Sequence, residues 1–254
     1  MKQLLIFFFF ANLNLQAQNS SIIDLADEAA LKNFDNKKAL QILEEAIKLD
    51  SENPEILWRL SRAYVDLGEH LPTSTDAQKE EQIRFYQKSL DFAERAVKIN
   101  SSNQILQSIS ITRRAIALGR VALFKGVWES LDLVKKIKDD CEKAIKLDKT
   151  NATAFYVLAR THAKICEKPK LVRYPLGLSW ANLDDAVKFF KKAIEIRPTF
   201  IMYKLDFART LVDLDDFKNA KEQLYKIQYL PTEDEDDDQY RKEAKLLLEK
   251  IKSK

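Results

Sequence analysis

Four arginines recur along the chain at nearly regular intervals, each directly after a short side chain. They are Arg62, Arg113, Arg160 and Arg209, and successive members lie 51, 47 and 49 residues apart. A guanidinium group binds a carboxylate through two parallel hydrogen bonds, which the point charge of a lysine does not do. The four arginines are therefore a candidate site for an acidic peptide or a C-terminal carboxylate.

Two interpretations of these arginines stay open. In the first, they bind a partner together with the apolar or aromatic residues that lie one helical turn before three of them, which are Trp58, Tyr156 and Leu205. In the second, the arginines pair within their own helices, Arg62 with Asp66 and Arg209 with Asp213. Such exposed pairs stabilise a helix by only about 0.3–0.5 kcal/mol each.

Few other side chains could support catalysis or metal binding. The chain has two histidines and two cysteines, without C-x-x-C or H-E-x-x-H spacing. We therefore predict no catalytic residue, no metal ligand and no cofactor. An enzyme that uses His162, Arg173 and Tyr174 is the alternative, but it lacks a nucleophile–base motif, and His162 is expected to be a packing residue.

The two cysteines, Cys141 and Cys166, are predicted to be free, buried thiols. If their helices form a hairpin that turns near Lys149, the two residues are offset along the helix axes by roughly 12 Å. A disulfide needs Cα atoms within about 7 Å of each other.

Composition favours a helical protein. Only 4 of the 254 residues are glycine, which disfavours phosphate-binding loops and turn-rich β folds. Hydrophobic residues make up 46% and charged residues 32%, which suits helices with one solvated face. The net charge of +3 is too small to predict nucleic-acid binding.

The N-terminus has the pattern of an export signal. Lys2 precedes an apolar run from Leu4 to Leu15, which is shorter than the roughly 20 residues needed to span a bilayer. We predict a signal peptide over residues 1–17, cleavage after Ala17, and a periplasmic or secreted chain without a stable membrane span. The alternatives are a buried N-terminal helix and an uncleaved anchor.

The rest of the chain consists of repeats. Four similar five-residue segments each end a helical pattern, and they start at Ala46, Ala96, Ala144 and Ala193, which are 50, 48 and 49 residues apart. An amphipathic stretch precedes each of the later ones, as in Asn53–Gly68 (NPEILWRLSRAYVDLG). Ile227 follows Ala193 by 34 residues, which is the length of a tetratricopeptide repeat.

These helical pairs resemble the tetratricopeptide repeat (TPR), and the resemblance implies an all-α solenoid of helical hairpins with expanded repeats. It also implies that the position after the small residue faces a concave groove, which would place the four arginines there, together with Trp58 and Tyr156. We predict five repeats and then an acidic turn and capping helix over 232–254. The repeats cover about 18–50, 51–100, 101–148, 149–198 and 199–231.

Three inserted segments expand the repeats. Residues 69–82 are predicted to form a loop that leads into a long helix from about Asp76 to Ile99. Residues 167–182 contain two prolines and a glycine and cannot continue a regular helix. The residues from Gly119 to Ser130 are expected to lengthen the helices around them.

The long repeats, the Asn53–Gly68 stretch and the proline- and aromatic-containing insertion resemble the regulator of microtubule dynamics family over about Asp50 to Lys254. This resemblance implies an interaction scaffold without catalysis, here as a bacterial-type, exported member. We therefore expect a non-enzymatic scaffold whose groove binds a protein or peptide segment, expected to be acidic. The alternative is a structural subunit of a cell-envelope assembly that binds through its convex face or its inserted loops. The sequence specifies neither the partner's identity nor the oligomeric state.

Overall fold

The computed structural model describes residues 21–125 and 127–254, and the side chains of residues 127–129 are outside that description. The predicted signal peptide, residues 1–17, therefore lies outside the described residues. Every regular element in the described part is a helix, as predicted. The chain divides into two compact units, Met1–Asn100 and Ser101–Lys254.

The first unit contains four described helices, each of which packs against its neighbour in sequence. They are α1 (residues 21–32, of which Glu28–Lys32 are π-helical), α2 (Asn36–Leu49), α3 (Pro54–Glu69) and α4 (Asp76–Ile99). Side-chain caps fix where these helices start. Asn53 accepts a hydrogen bond from the backbone N–H of Glu55, and Thr75 forms a reciprocal capping box with Gln78. The predicted bounds of the long helix α4 are confirmed.

The second unit contains eight described helices. They are α5 (Gln104–Ala122), α6 (Val127–Leu147), α7 (Ala152–Cys166), α8 (Lys170–Arg173), α9 (Leu183–Ile196), α10 (Ile201–Asp213), α11 (Phe217–Ile227) and α12 (Asp237–Lys250). Three pairs pack most extensively, α5 with α6, α7 with α9, and α10 with α11. The last helix, α12, packs on α10 and α11 and caps the unit.

The recurring alanines are part of the buried core. Ala46, Ala96, Ala144 and Ala193 are all buried. In the second unit a continuous apolar cluster includes Phe190, which is fully buried. The small side chains let neighbouring helices approach, and the large ones fill the space between them.

The inserted segments take three forms. Residues 70–75 form the expected loop before α4, and the segment 167–182 contains the single helical turn α8. The residues around Gly119 to Ser130 lengthen α5 and α6 as expected, but the chain also turns between Leu123 and Lys125. Among the described residues, no helix has both the length and the apolar composition that a membrane span requires.

Both cysteines are free, and Cys141 is fully buried. Burial raises the pKa of the Cys141 thiol far above its usual value. The predicted burial of Cys166 is wrong in part, because this residue is the last of α7 and stays partly exposed. Its Sγ accepts a hydrogen bond from Arg173 Nη1 at 3.2 Å.

Candidate functional site

Two of the predicted arginines meet around one carboxylate in the second unit. Arg160 lies on α7 and Arg209 on α10. The carboxylate of Asp206, which is nearly buried, lies 3.4 Å from Arg160 Nη1 and 2.7 Å from Arg209 Nη1. The arginine side chains keep 47% and 45% exposure, respectively. The two helices thus present two guanidinium groups that share one carboxylate.

Tyr156 lies beneath this group and holds it in place. Its hydroxyl donates to Asp206 Oδ2 at 2.7 Å and accepts from Arg160 Nη1 at 2.9 Å. Its ring stacks on Tyr203 with centroids 4.5 Å apart. Burial, and then the negative charge of Asp206, raise the pKa of the Tyr156 hydroxyl well above its usual value. Tyr156 is therefore a permanent hydrogen-bond donor to Asp206 at physiological pH.

The capping helix contributes a second carboxylate. Glu243 on α12 accepts a hydrogen bond from Arg209 Nη2. Burial alone lowers the pKa of the Arg209 guanidinium, but the charges and hydrogen bonds of Asp206 and Glu243 outweigh it, so the net pKa is raised. We name this group of four side chains, Arg160, Asp206, Arg209 and Glu243, the arginine cluster.

Arg113 lies nearby on α5, and it is partly buried. Burial raises the pKa of the Tyr203 hydroxyl, and the positive charge of Arg113 is among the influences that oppose this rise. Tyr203 is the residue on which Tyr156 stacks. The positive charge of Arg113 therefore acts on the stacked pair of Tyr203 and Tyr156.

Arg62 and Trp58 have different surroundings, in the first unit. Arg62 is only 7% exposed, and its Nη2 donates to Asp27 on α1 at 3.1 Å. Arg59, which the sequence analysis did not single out, binds the same carboxylate at 2.6 Å and stacks over the Trp58 ring at 4.1 Å. Burial alone raises the pKa of Asp27, but Arg59 and Arg62 outweigh it and the net pKa is lowered. These contacts attach α1 to α3.

Two details of the expected pairing are wrong. Arg62 pairs with Asp27 instead of Asp66, because α1 packs close enough to supply a carboxylate from 35 residues away. Arg209 pairs with Asp206, one turn before it, and with Glu243 instead of Asp213. None of these partners lies four residues after its arginine in the same helix, so helical spacing alone does not identify them.

The expected apolar contacts to a partner are also different in the structure. Trp58, Tyr156 and Leu205 are buried, so their surfaces are already covered by the protein itself. Trp58 Nε1 donates to Glu55 at 2.9 Å. These residues therefore offer little surface to a bound segment.

The residues of the alternative enzyme site have packing and backbone contacts in the structure. His162 is buried between Trp180 and Phe189, with ring centroids 5.0 and 5.5 Å away, as a packing residue. Arg173 Nη1 donates to the Ala181 carbonyl at 2.6 Å, whereas Tyr174 is exposed. Within residues 21–125 and 127–254, no three His, Cys, Asp or Glu side chains come together in a way that could hold a metal ion.

His162 should make stability depend on pH. Its Nδ1 accepts the Asn182 backbone N–H at 3.3 Å, and burial lowers its pKa below the usual 6.5. Below about pH 6.5 the unfolded chain binds a proton that folded His162 resists, so the free energy of unfolding falls. We expect the urea midpoint to drop between about pH 7.5 and 5.5, and to drop less in His162→Gln. An equal drop in both proteins would contradict this assignment.

Comparison with known proteins places these features in a family. The family model described as regulator of microtubule dynamics protein 1-3 matches residues 22–252. Regulator of microtubule dynamics protein 1 of Mus musculus is 30% identical over 205 residues, which cover 78% of this chain and 65% of the mouse protein. The Bos taurus protein of the same name is 28% identical over 205 residues, covering 78% of this chain and 62% of its own length. This chain thus spans slightly less than two thirds of these two relatives.

A solved structure supports the fold. The crystal structure of a thermophilic TPR protein from Thermus thermophilus aligns with a TM-score of 0.64 at 15% identity. The alignment covers 90% of this chain and 99% of that protein. The fold is therefore a TPR-like helical repeat. Because the family model spans nearly the whole described chain, the chain belongs to the regulator of microtubule dynamics protein 1-3 family.

Proposed function

We propose that this chain is a non-enzymatic scaffold that binds an acidic segment of a partner protein at the arginine cluster. The supporting observation is that Arg160 and Arg209, on different helices, both rest on Asp206 while keeping nearly half of their side-chain surface exposed. A carboxylate that approaches this surface meets two oriented guanidinium groups.

The chemistry of the cluster favours a carboxylate ligand. Each guanidinium carries five N–H donors in a planar arrangement, and two of them can bind one carboxylate side by side. Asp206 and Tyr156 hold the two arginines in place, which lowers the entropy that a partner must overcome to bind them. The positive charge of Arg113 acts on Tyr203, the residue on which Tyr156 stacks. The ligand-binding role is thus proposed for Arg113, Arg160 and Arg209, with Tyr156 as a positioning residue.

The test is a set of synthetic 12-residue peptides that carry none, two or four acidic residues, each with a free or amidated C terminus. We expect affinity to rise with acidic content, because each carboxylate gains charge-assisted hydrogen bonds. Arg160→Ala combined with Arg209→Ala should weaken binding of the four-acid peptide at least ten-fold, as measured by fluorescence anisotropy. Arg160→Lys should recover only part of the loss, because lysine keeps the charge without the bidentate geometry.

The matched control is Arg84→Ala, which removes an exposed arginine that pairs with Glu81 on α4. It should bind the peptides as the wild type does. Equal affinity for acidic and neutral peptides, or wild-type affinity in the double variant, would show that the arginine cluster is not a carboxylate site.

The compartment of this scaffold is proposed from the sequence. The relatives' names refer to microtubules, but residues 1–17 have the pattern of an export signal. An exported chain does not meet tubulin, so we propose a periplasmic or secreted partner for this member of the family. A structural role in a cell-envelope assembly is the alternative, and it would not require the arginine cluster.

A further inference from the structure

The inserted segment between α7 and α9 exposes a group of apolar side chains. Leu171 is 88% exposed, Tyr174 58% and Val172 47%, all on or beside the single helical turn α8. Among the exposed large hydrophobic residues of the described chain, Leu171 and Tyr229 are the two most exposed. We call residues 168–178 the tip.

Hydrogen bonds within the chain define the conformation of the tip. Arg173 is buried and donates to the Ala181 carbonyl, which ties the tip to the start of α9. The Leu178 N–H donates to the Arg173 carbonyl at 3.0 Å, and the Gly177 N–H to the Tyr174 carbonyl at 3.1 Å. Gly177 adopts φ +68, which is available to glycine without strain. The apolar side chains are therefore held outward.

The charged side chains within the tip are all basic. Lys168 and Lys170 are exposed on it, and no aspartate or glutamate occurs from residue 168 to residue 183. A partner surface should therefore offer an apolar layer to the exposed apolar side chains and negative charge to the two lysines. Tyrosine and lysine beside leucine and valine are residues that favour the boundary between lipid headgroups and acyl chains.

We propose that the tip inserts Leu171, Val172 and Tyr174 into the interfacial layer of a bilayer that contains anionic lipid. Lys168 and Lys170 would then lie at the level of the negatively charged headgroups, where each adds roughly five-fold to binding. The contact is peripheral, because one helical turn is far too short to span a membrane. This inference does not depend on the arginine cluster.

A bilayer fits the tip better than a protein surface does. A stable protein interface buries about 800 Å² on each partner, which three side chains on one turn do not supply. A protein would also need a pocket shaped to receive Leu171, whereas lipid adapts to any protruding apolar side chain. The small apolar area implies weak binding that depends on the lysines, and hence on lipid charge.

The experiment is sedimentation of the purified protein with two kinds of vesicle, pure phosphatidylcholine and phosphatidylcholine with phosphatidylserine at about three parts in ten. We expect at least ten-fold stronger binding to the anionic vesicles at low salt, weakened by added salt. Leu171→Ser combined with Tyr174→Ser should lower this binding at least ten-fold. Lys168→Glu combined with Lys170→Glu should abolish the preference for phosphatidylserine.

The control is Leu246→Ser, because Leu246 is 72% exposed on α12 and is not part of the tip. It should bind vesicles as the wild type does, and all variants keep the same N-terminus. The proposal is overturned if the wild type shows no preference for anionic vesicles, or if the Leu171 and Tyr174 substitutions leave binding unchanged. If the Leu171 and Tyr174 substitutions abolished binding to a protein and left vesicle binding intact, the tip would be assigned to a protein partner. That result would also overturn the proposal.

Discussion

Replacing Asp206 with alanine should lower the free energy of unfolding by about 2–4 kcal/mol. Asp206 is nearly buried, and it accepts hydrogen bonds from Tyr156 and Arg209 while its carboxylate also neutralises Arg160. Its removal leaves the buried Tyr156 hydroxyl without its acceptor and leaves two guanidinium groups close together. The arginines are half exposed, so water relieves part of their repulsion. Chemical denaturation followed by circular dichroism measures the loss.

A conservative variant separates the charge of Asp206 from its hydrogen bonds, and a second variant serves as the control. Asp206→Asn keeps an acceptor for Tyr156, so it should lose less than half as much stability as Asp206→Ala. Asp238→Ala is the matched control, because that aspartate is 84% exposed where it pairs with Arg241, and its loss should change stability by less than about 0.5 kcal/mol. If Asp206→Ala were as mild as this control, the buried network would contribute nothing measurable.

Replacing Phe190 with alanine should destabilise the protein by about 3–5 kcal/mol. Phe190 lies on α9 and is fully buried, with ring centroids 6.1 Å from Tyr156 and 5.8 Å from Phe207. It joins helices α7, α9 and α10 in one apolar cluster, so its loss opens a cavity that all three helices line. Thermal or urea unfolding of the purified variant gives the measurement.

Tyr229→Ala serves as the comparison, since it removes an aromatic side chain that is almost fully exposed. That change should alter stability by less than about 0.5 kcal/mol. A loss below about 1.5 kcal/mol in Phe190→Ala would indicate that neighbouring side chains collapse into the space, and that the cluster is less closely packed than its burial implies.

Local sequence signals predicted much of the fold. The bounds of α4 followed from Thr75 and from the helical spacing up to Ile99. The recurring alanines predicted buried helix contacts, and all four are buried. These features depend on residues a few positions apart, so a single sequence contains the information. The one-turn helix α8 and the π-helical end of α1 were not foreseen, because neither has a distinctive periodicity.

The candidate site was harder to predict because its partners come from different helices. The spacing of the arginines identified Arg160 and Arg209, but their shared carboxylate depends on how α10 packs against α7. Arg62 follows the same spacing and yet is buried against Asp27. The repeat period alone cannot tell an exposed arginine from one that neighbouring helices cover. An acidic residue at the matching position of the neighbouring helix, as Asp206 is for Arg160, is the sequence feature that would have predicted this pairing.

The order in which the helices pack also bears on how quickly the protein folds. In the second unit the main contacts join helices that lie near each other in sequence, from α5 with α6 to α11 with α12. Stabilising contacts can therefore form before distant segments meet, so the contact order is low and the loop-closure cost of folding is small. A unit of this kind can fold one hairpin after another while the chain is still being synthesised, since each hairpin needs only the one before it as a surface to pack against.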